Sequence, residues 1–251
     1  MNSINKLARS AGFLYLLIAV CGGFSFFYMR SVIIVPGDAT ATVTNLLASE
    51  FLFRLGIVSD AVVFLSEILL MALLYILFKP VSKTLSLAAA FARLAMVVMQ
   101  GMNLLNYFFA LLLVSGAGYL AVFGADQLHA LALLFLNAYE YVALIWGAFF
   151  GLTNLLLGYL VYKSGFLPWV IGILLVLTGA GYLIDSFGNF LLPQYDALYA
   201  SIVLWLALLG ELSLTFWLLI KGVNVEQWHK RALEPAATTP VAVAQPMLEM
   251  A

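Results

Sequence analysis

The sequence predicts an all-α integral membrane bundle of six transmembrane helices with the N-terminus and C-terminus cytoplasmic, and three observations carry that prediction. Of 251 residues, 65% are hydrophobic and 9% are charged, whereas ordinary soluble domains hold roughly 25% charged residues. A water-soluble fold cannot hide so much apolar surface. Six apolar stretches are each long enough to cross a hydrocarbon core of about 30 Å, which takes about 20 residues at roughly 1.5 Å each. The basic residues are also divided unevenly among the connections. With the N-terminus inside, Lys6, Arg9, Lys79, Lys83, Lys163, Lys221, Lys230 and Arg231 are cytoplasmic, and Arg30 and Arg54 are outside, as the positive-inside rule requires. The formal net charge of -1 gives no hint of a nucleic-acid partner; the partner that composition implies is the lipid bilayer.

The first span is expected from Ala11 to Met29. Cys21 within it is the sole cysteine, which excludes an internal disulfide. A lipoprotein site there would need a small residue where Val20 stands, and the apolar run continues through Phe24, Phe26 and Phe27, so the segment reads as a retained helix. Pro36, Gly37 and Asp38 then form a turn, with Asp38 placed to cap a short helix from Ala39 to Ser49 on the outer surface. Further spans follow from Phe51 to Phe78, Leu85 to Val114, Leu128 to Tyr162, Phe166 to Leu192 and Ala197 to Ile220. The fourth span is too long for one straight crossing. Either its outer end projects beyond the bilayer, or Leu128 to Tyr139 is a separate interfacial helix. Residues 1–233 read as a single transmembrane domain. The tail over 234–251, with Pro235, Pro240 and Pro246 among Ala, Thr and Val, reads as disordered and cytoplasmic.

Polar groups inside the spans are the informative ones, since each is costly in hydrocarbon and should turn inward to a partner. Counting from the cytoplasmic anchors, Glu67 precedes Lys79 by twelve positions, Arg93 follows Lys83 by ten and Glu211 precedes Lys221 by ten, which sets all three roughly 15 to 18 Å above those anchors. Asn154 lies near the same level. One arginine between two glutamates makes a buried ionic cluster, because a guanidinium fork can serve both carboxylates.

Helical spacing adds an outer polar seam that could bind a ligand. Asp60 precedes Glu67 by seven residues, and Gln100 follows Arg93 by seven with Tyr107 seven further on and Asn103 on the flank. Glu140, Gly147, Gly151, Asn154 and Gly158 share one face of the fourth span, and Thr178 and Asp185 share a face of the fifth. The glycines read as close helix packing. Trp146, Trp169, Trp205 and Trp217 read as packing or interface anchors.

No familiar catalytic constellation assembles. The histidines, His129 and His229, sit at opposite ends of the bundle, so neither an intramembrane metal hydrolase nor a serine protease can be built on them. No glycine-flanked aspartyl motif surrounds Asp60 or Asp185, and no phosphate-binding loop or haem-attachment motif occurs. No metal site and no cofactor is expected.

The segment FFGLTNLLLGYLVYKSGFLPWVIGILLVLTGAGYLIDSFGNFLLPQY from Phe149 resembles bacterial membrane proteins grouped as domain-of-unknown-function family 4386. So do VPGDATAT from Val35, FRLGIVSD from Phe53 and LYILFKPVSKTLSLAAAFARL from Leu74. The likeness covers nearly the whole chain up to the tail, and Asp60, Arg93, Leu167 with Pro168, and Asp185 fall on recognisable family positions. Asn137 to Tyr141 stand where the family pattern is richer in glycine and histidine. The resemblance implies a multi-pass protein of the bacterial inner membrane and supplies no activity.

Three readings follow. In the first, the protein is a carrier or binding protein for a small solute, proton-coupled through Glu67 and Glu211 around a fixed Arg93. In the second, it is a structural or accessory protein whose buried charges only hold helix register. In the third, it is an intramembrane enzyme acting on a lipid-like substrate. Three charges at one depth with further acids above them favour the first.

Overall fold

The computed structural model describes residues 3–233, so the tail over 234–251 lies outside the described residues. Six helices are long and apolar enough to span a membrane: α1 Ser3–Ile33, α3 Glu50–Phe78, α4 Lys83–Leu113, α5 Ala125–Ser164, α6 Trp169–Leu191 and α7 Pro193–Lys221. Two shorter α-helices, α2 Ala39–Ala48 and α8 Val225–Leu233, and a 3₁₀ turn at Gly118–Val122 complete the set among the described residues. Among the described residues the regular structure is all helical, and its six apolar helices mark a multi-pass membrane protein.

Each spanning helix packs against its neighbour in sequence, and α7 returns to α1, so the six form a closed ring with few direct contacts across it. The two described ends lie at one end of the ring, here called proximal, where the Asn5 side chain accepts from the Val223 N–H at 3.0 Å. The opposite end is distal. Apolar residues fill both ends. The proximal core joins Ala8, Leu77, Leu160, Leu214 and Leu218, and the distal core joins Met29, Leu46, Phe53, Tyr107 and Leu136.

Helix limits follow local chemistry. Asp38 caps α2 by accepting from the Ala41 N–H at 2.8 Å, and Ser82 caps α4 by accepting from Leu85 at 3.3 Å. α5 ends at Gly165, whose φ of 72° is left-handed and suits glycine. The α5–α6 interface runs on glycines. A Cβ at Gly158 would meet the Gly172 carbonyl oxygen at 2.7 Å, and one at Gly151 would meet the Gly179 carbonyl oxygen at 2.9 Å. Backbones therefore approach closely, the packing role expected of this stripe.

Three sequence expectations change. α1 runs four residues past Met29, through a π-helical stretch at Phe24–Met29, so Arg30 is a buried helical residue and not an outer-loop cation. α5 is one continuous helix, about 60 Å long at 1.5 Å per residue. Its segment from Leu128 to Tyr139 is no separate interfacial helix, because Ala132, Leu136 and Tyr139 are buried in the distal core. α2 does not simply lie on the surface. Its Thr42, Val43 and Leu46 are buried, and it packs against the distal part of α5. α8, which the composition gave no reason to expect, closes the proximal end, its Trp228 Nε1–H donating to the Leu77 carbonyl at 2.9 Å.

Candidate functional site

Two polar assemblies occupy the ring interior. The deeper one is built on Arg93 of α4, whose side chain is 2% exposed. Its Nε–H donates to Glu67 Oε2, its Nη2 donates to Glu67 Oε1 at 3.3 Å, and its Nη1 donates to the Tyr15 hydroxyl at 3.1 Å. The guanidinium also lies over the Tyr15 ring at 5.1 Å and the Phe150 ring at 5.8 Å. A bidentate pair between two aromatic faces meets the conditions under which an ion pair survives burial, namely close geometry and satisfied lone pairs.

Glu211 of α7 does not join that ion pair. Among the described residues the only salt bridge of Arg93 is to Glu67. The Glu211 carboxylate lies within electrostatic range of both groups and faces the Tyr182 phenol, yet its buried Oε1 has no hydrogen-bond partner. Tyr182 in turn packs edge-on against Phe150 at 4.9 Å and Trp146 at 6.0 Å. The expected three-membered cluster is thus a closed pair with a separate acid beside it: Glu67 takes Nε and Nη2 of Arg93, and Nη1 goes to Tyr15. Asn154 shares the depth but not the chemistry, since its side-chain amide bonds back to the Phe150 carbonyl at 3.2 Å within its own helix.

The distal assembly is larger. Arg30 donates through Nη1 to the Tyr107 hydroxyl at 2.9 Å and through Nη2 to Glu140, with its guanidinium 5.2 Å from the centre of the Tyr139 ring. Tyr107 and Tyr139 stack at 4.2 Å. The Tyr139 hydroxyl donates to Asp60 at 3.0 Å and accepts from Gln100 at 2.8 Å, while Asn103 donates to Gln100 Oε1 at 3.2 Å and to the Tyr139 carbonyl at 2.9 Å. The buried Ser25 hydroxyl neighbours Asp60 without a hydrogen bond of good geometry. Asp60, Gln100, Asn103 and Glu140 therefore meet in one network. Glu140 is its outer edge, with a side chain 60% exposed. Asp185 stands apart, bonded to the Asn189 amide at 3.1 Å.

Sequence reasoning missed Arg30, Tyr15, Tyr139 and Tyr182. Arg30 was hidden by its place at the end of an apolar run, and the π-helical stretch before it, a feature often found at functional sites, has no sequence signature. The tyrosines look like ordinary membrane aromatics until their hydroxyls are seen to meet charges. Chemically, the interior offers a neutralised ion pair, a lone buried acid and a distal hydrogen-bond relay. Among the described residues it offers neither a nucleophile hydrogen-bonded to a histidine base nor a group of three or more metal-ligating side chains.

The family model described as domain of unknown function (DUF4386) matches residues 10–222. The chain belongs to this family. Every residue of the two polar assemblies falls inside the segment that the DUF4386 model covers. A relative in Archaeoglobus fulgidus, described as an uncharacterized protein, is 27% identical over 190 residues, 73% of this chain and 96% of the relative. No solved structure matches this DUF4386 chain significantly.

Proposed function

We propose that this multi-pass membrane protein is a carrier or binding protein for a small solute, coupled to a proton that Glu211 takes up and releases. The observation that carries this reading is the Glu211 carboxylate, whose buried Oε1 lacks a partner while the neighbouring Glu67–Arg93 pair neutralises itself. An ionised carboxylate without a counter-ion is costly in hydrocarbon, and a proton or a ligand group removes that cost. Glu67 then serves as the fixed counter-ion of Arg93, and the exchangeable role falls to Glu211 alone.

Asp60, Gln100 and Asn103 form the distal approach for the solute, with the Arg30–Glu140 pair at its mouth. Within the two assemblies the buried acids Asp60 and Glu67, with Glu211 beside them and Glu140 at the edge, outnumber the two guanidinium groups, Arg30 and Arg93. This balance favours a cationic solute or a proton over an anion. The distal end faces outward, with both termini in the cytoplasm and the protein in a bacterial inner membrane. The basic residues that flank the proximal helix ends support that orientation.

A second reading, a structural or accessory protein, is favoured by one observation: Glu67, Arg93 and Tyr15 satisfy one another without any ligand. Reconstitution into vesicles loaded with a pH-sensitive dye separates the two. A panel of small organic cations and amino acids is added outside, and the parent is compared with Glu211→Gln. The carrier reading expects a solute-dependent pH change in the parent that Glu211→Gln abolishes. Equal responses, or none in the parent, leave the structural role.

A further inference from the structure

At the proximal end of α1, Lys6, Arg9, Ser10, Phe13 and Leu14 line an open groove of about 530 Å³. Their spacing puts all five on one side of the helix. Phe13 on that side is exposed, while Ala8, Ala11 and Tyr15 on the other are buried in the ring. The groove changes chemistry with depth. Lys6 and Arg9 lie nine and six residues before Tyr15, which meets Arg93, so they stand about 14 and 9 Å to the proximal side of that level. Half a hydrocarbon core is about 15 Å thick, and long basic side chains reach outward from such depths. The two cations therefore end among headgroups, and Phe13 and Leu14 lie among acyl chains. Arg9 is held in place, because its Nη2 donates to the Ile220 carbonyl at the end of α7 at 3.3 Å. One turn deeper the two backbones meet, since a Cβ at Gly12 would strike the Leu219 nitrogen at 2.5 Å. Lys221, the residue after Ile220, is exposed and adds a third cation to this end. Among the described residues the ion pairs engage Arg30, Arg54 and Arg93, and no acid pairs with Lys6 or Lys221.

We infer that this groove binds an anionic phospholipid of the proximal leaflet, its phosphate at Lys6, Arg9 and Ser10 and an acyl chain along Phe13 and Leu14. Charge complementarity selects the headgroup, because clustered cations beside a membrane attract anionic lipid. The apolar wall selects a lipid over a soluble anion, which would meet the cations and leave Phe13 in water. A zwitterionic lipid would cover Phe13 but bring the cations no net counter-charge. The groove lies on the outer side of the ring, away from Glu211, so the inference rests neither on solute transport nor on which side of the membrane is cytoplasmic.

The protein purified in detergent is titrated with phosphatidylglycerol or phosphatidylcholine, and bound lipid is counted by native mass spectrometry. The parent is expected to bind its first phosphatidylglycerol at least about tenfold more tightly than phosphatidylcholine. Each cation near an anionic surface is worth about fivefold in affinity, so Lys6→Gln should weaken phosphatidylglycerol about fivefold, and Lys6→Gln with Arg9→Gln about twentyfold. Arg9→Lys keeps the charge and should stay within about twofold of the parent. The control, Lys83→Gln with Lys163→Gln, removes two exposed cations from α4 and α5, helices that are not neighbours of α1 in the ring. It should also stay within about twofold. Lys6→Gln alters an exposed side chain, so it carries the test even if losing the Arg9 contact to α7 disturbs folding. No preference for phosphatidylglycerol in the parent, or an equal loss in the control, overturns the site. Displacement of the lipid by millimolar inorganic phosphate at constant ionic strength would make it a soluble-anion site and overturn it too.

Discussion

Glu67 and Glu211 are the same residue type near the same depth, yet their surroundings give them opposite energetic standing. Glu67 has both oxygens on Arg93, so Glu67→Gln leaves a buried guanidinium without its counter-ion; the expected loss is about 3–5 kcal/mol. Glu211→Gln removes a charge that has no salt bridge, and the expected result is an unchanged or higher melting temperature. Thermal unfolding of the two variants in detergent checks the contrast, and a larger loss for Glu211→Gln would refute the assignment of roles. Tyr139 is the second residue whose value depends on its hydroxyl. Tyr139→Phe keeps the stack on Tyr107 but strips a donor from Asp60 and an acceptor from Gln100. Leaving buried polar groups unmet costs about 1–3 kcal/mol each, so the variant should melt lower while its helix content by circular dichroism stays the same.

At the scale of the helix, glycines that look alike in the sequence divide by what they face. Gly158 and Gly172 lie back to back, and a side chain at either would strike backbone that cannot yield. Gly158→Val should force α5 and α6 apart at a cost of about 1–3 kcal/mol or more. Gly101, inside α4, has nothing within 4 Å of an added Cβ. There Gly101→Ala should be neutral or stabilising by up to about 1 kcal/mol, since alanine loses less backbone freedom in a helix. Chemical or thermal unfolding of the pair tests the interface directly, and similar effects at the two positions would count against it. The stripe Gly147, Gly151, Gly158 was legible in the sequence as packing. Its partner was not, because face-sharing within one helix does not say which neighbour it meets.

Across the whole molecule, the ring order puts residues from α1, α3, α4 and α5 into one distal network and leaves α6 and α7 to hold the lone Glu211 with Tyr182 and Asp185. An even number of spans returns the described ends to one side, and the proposed orientation, which follows the positive-inside asymmetry, puts that side in the cytoplasm. A fluorescent reporter fused after the C-terminus should therefore fold and fluoresce in cells, while a phosphatase inserted at Gly116, in the distal connection between α4 and α5, should be active outside. The opposite pattern would invert the orientation and with it the direction of the proposed solute path.

Composition and periodicity by themselves determined the membrane class, the number of candidate spans, the Asp38 cap and the nearness in height of Glu67, Arg93 and Glu211, because all of these depend on distance along the chain, and a helix converts sequence separation into height. An outer layer holding Asp60 and Gln100 also lay within reach, since each stands seven residues distal of a member of the charged level, Glu67 or Arg93, on its own helix. What only the tertiary structure decided is which side chains at one height actually meet. Rotation of each helix, the extension of α1 past a π-helical stretch and the bidentate grip of one carboxylate are set by packing between segments far apart in sequence. For that reason Glu67 is bound to Arg93 and Glu211 is not, and Arg30, read along the chain as a loop cation, becomes the centre of the distal network.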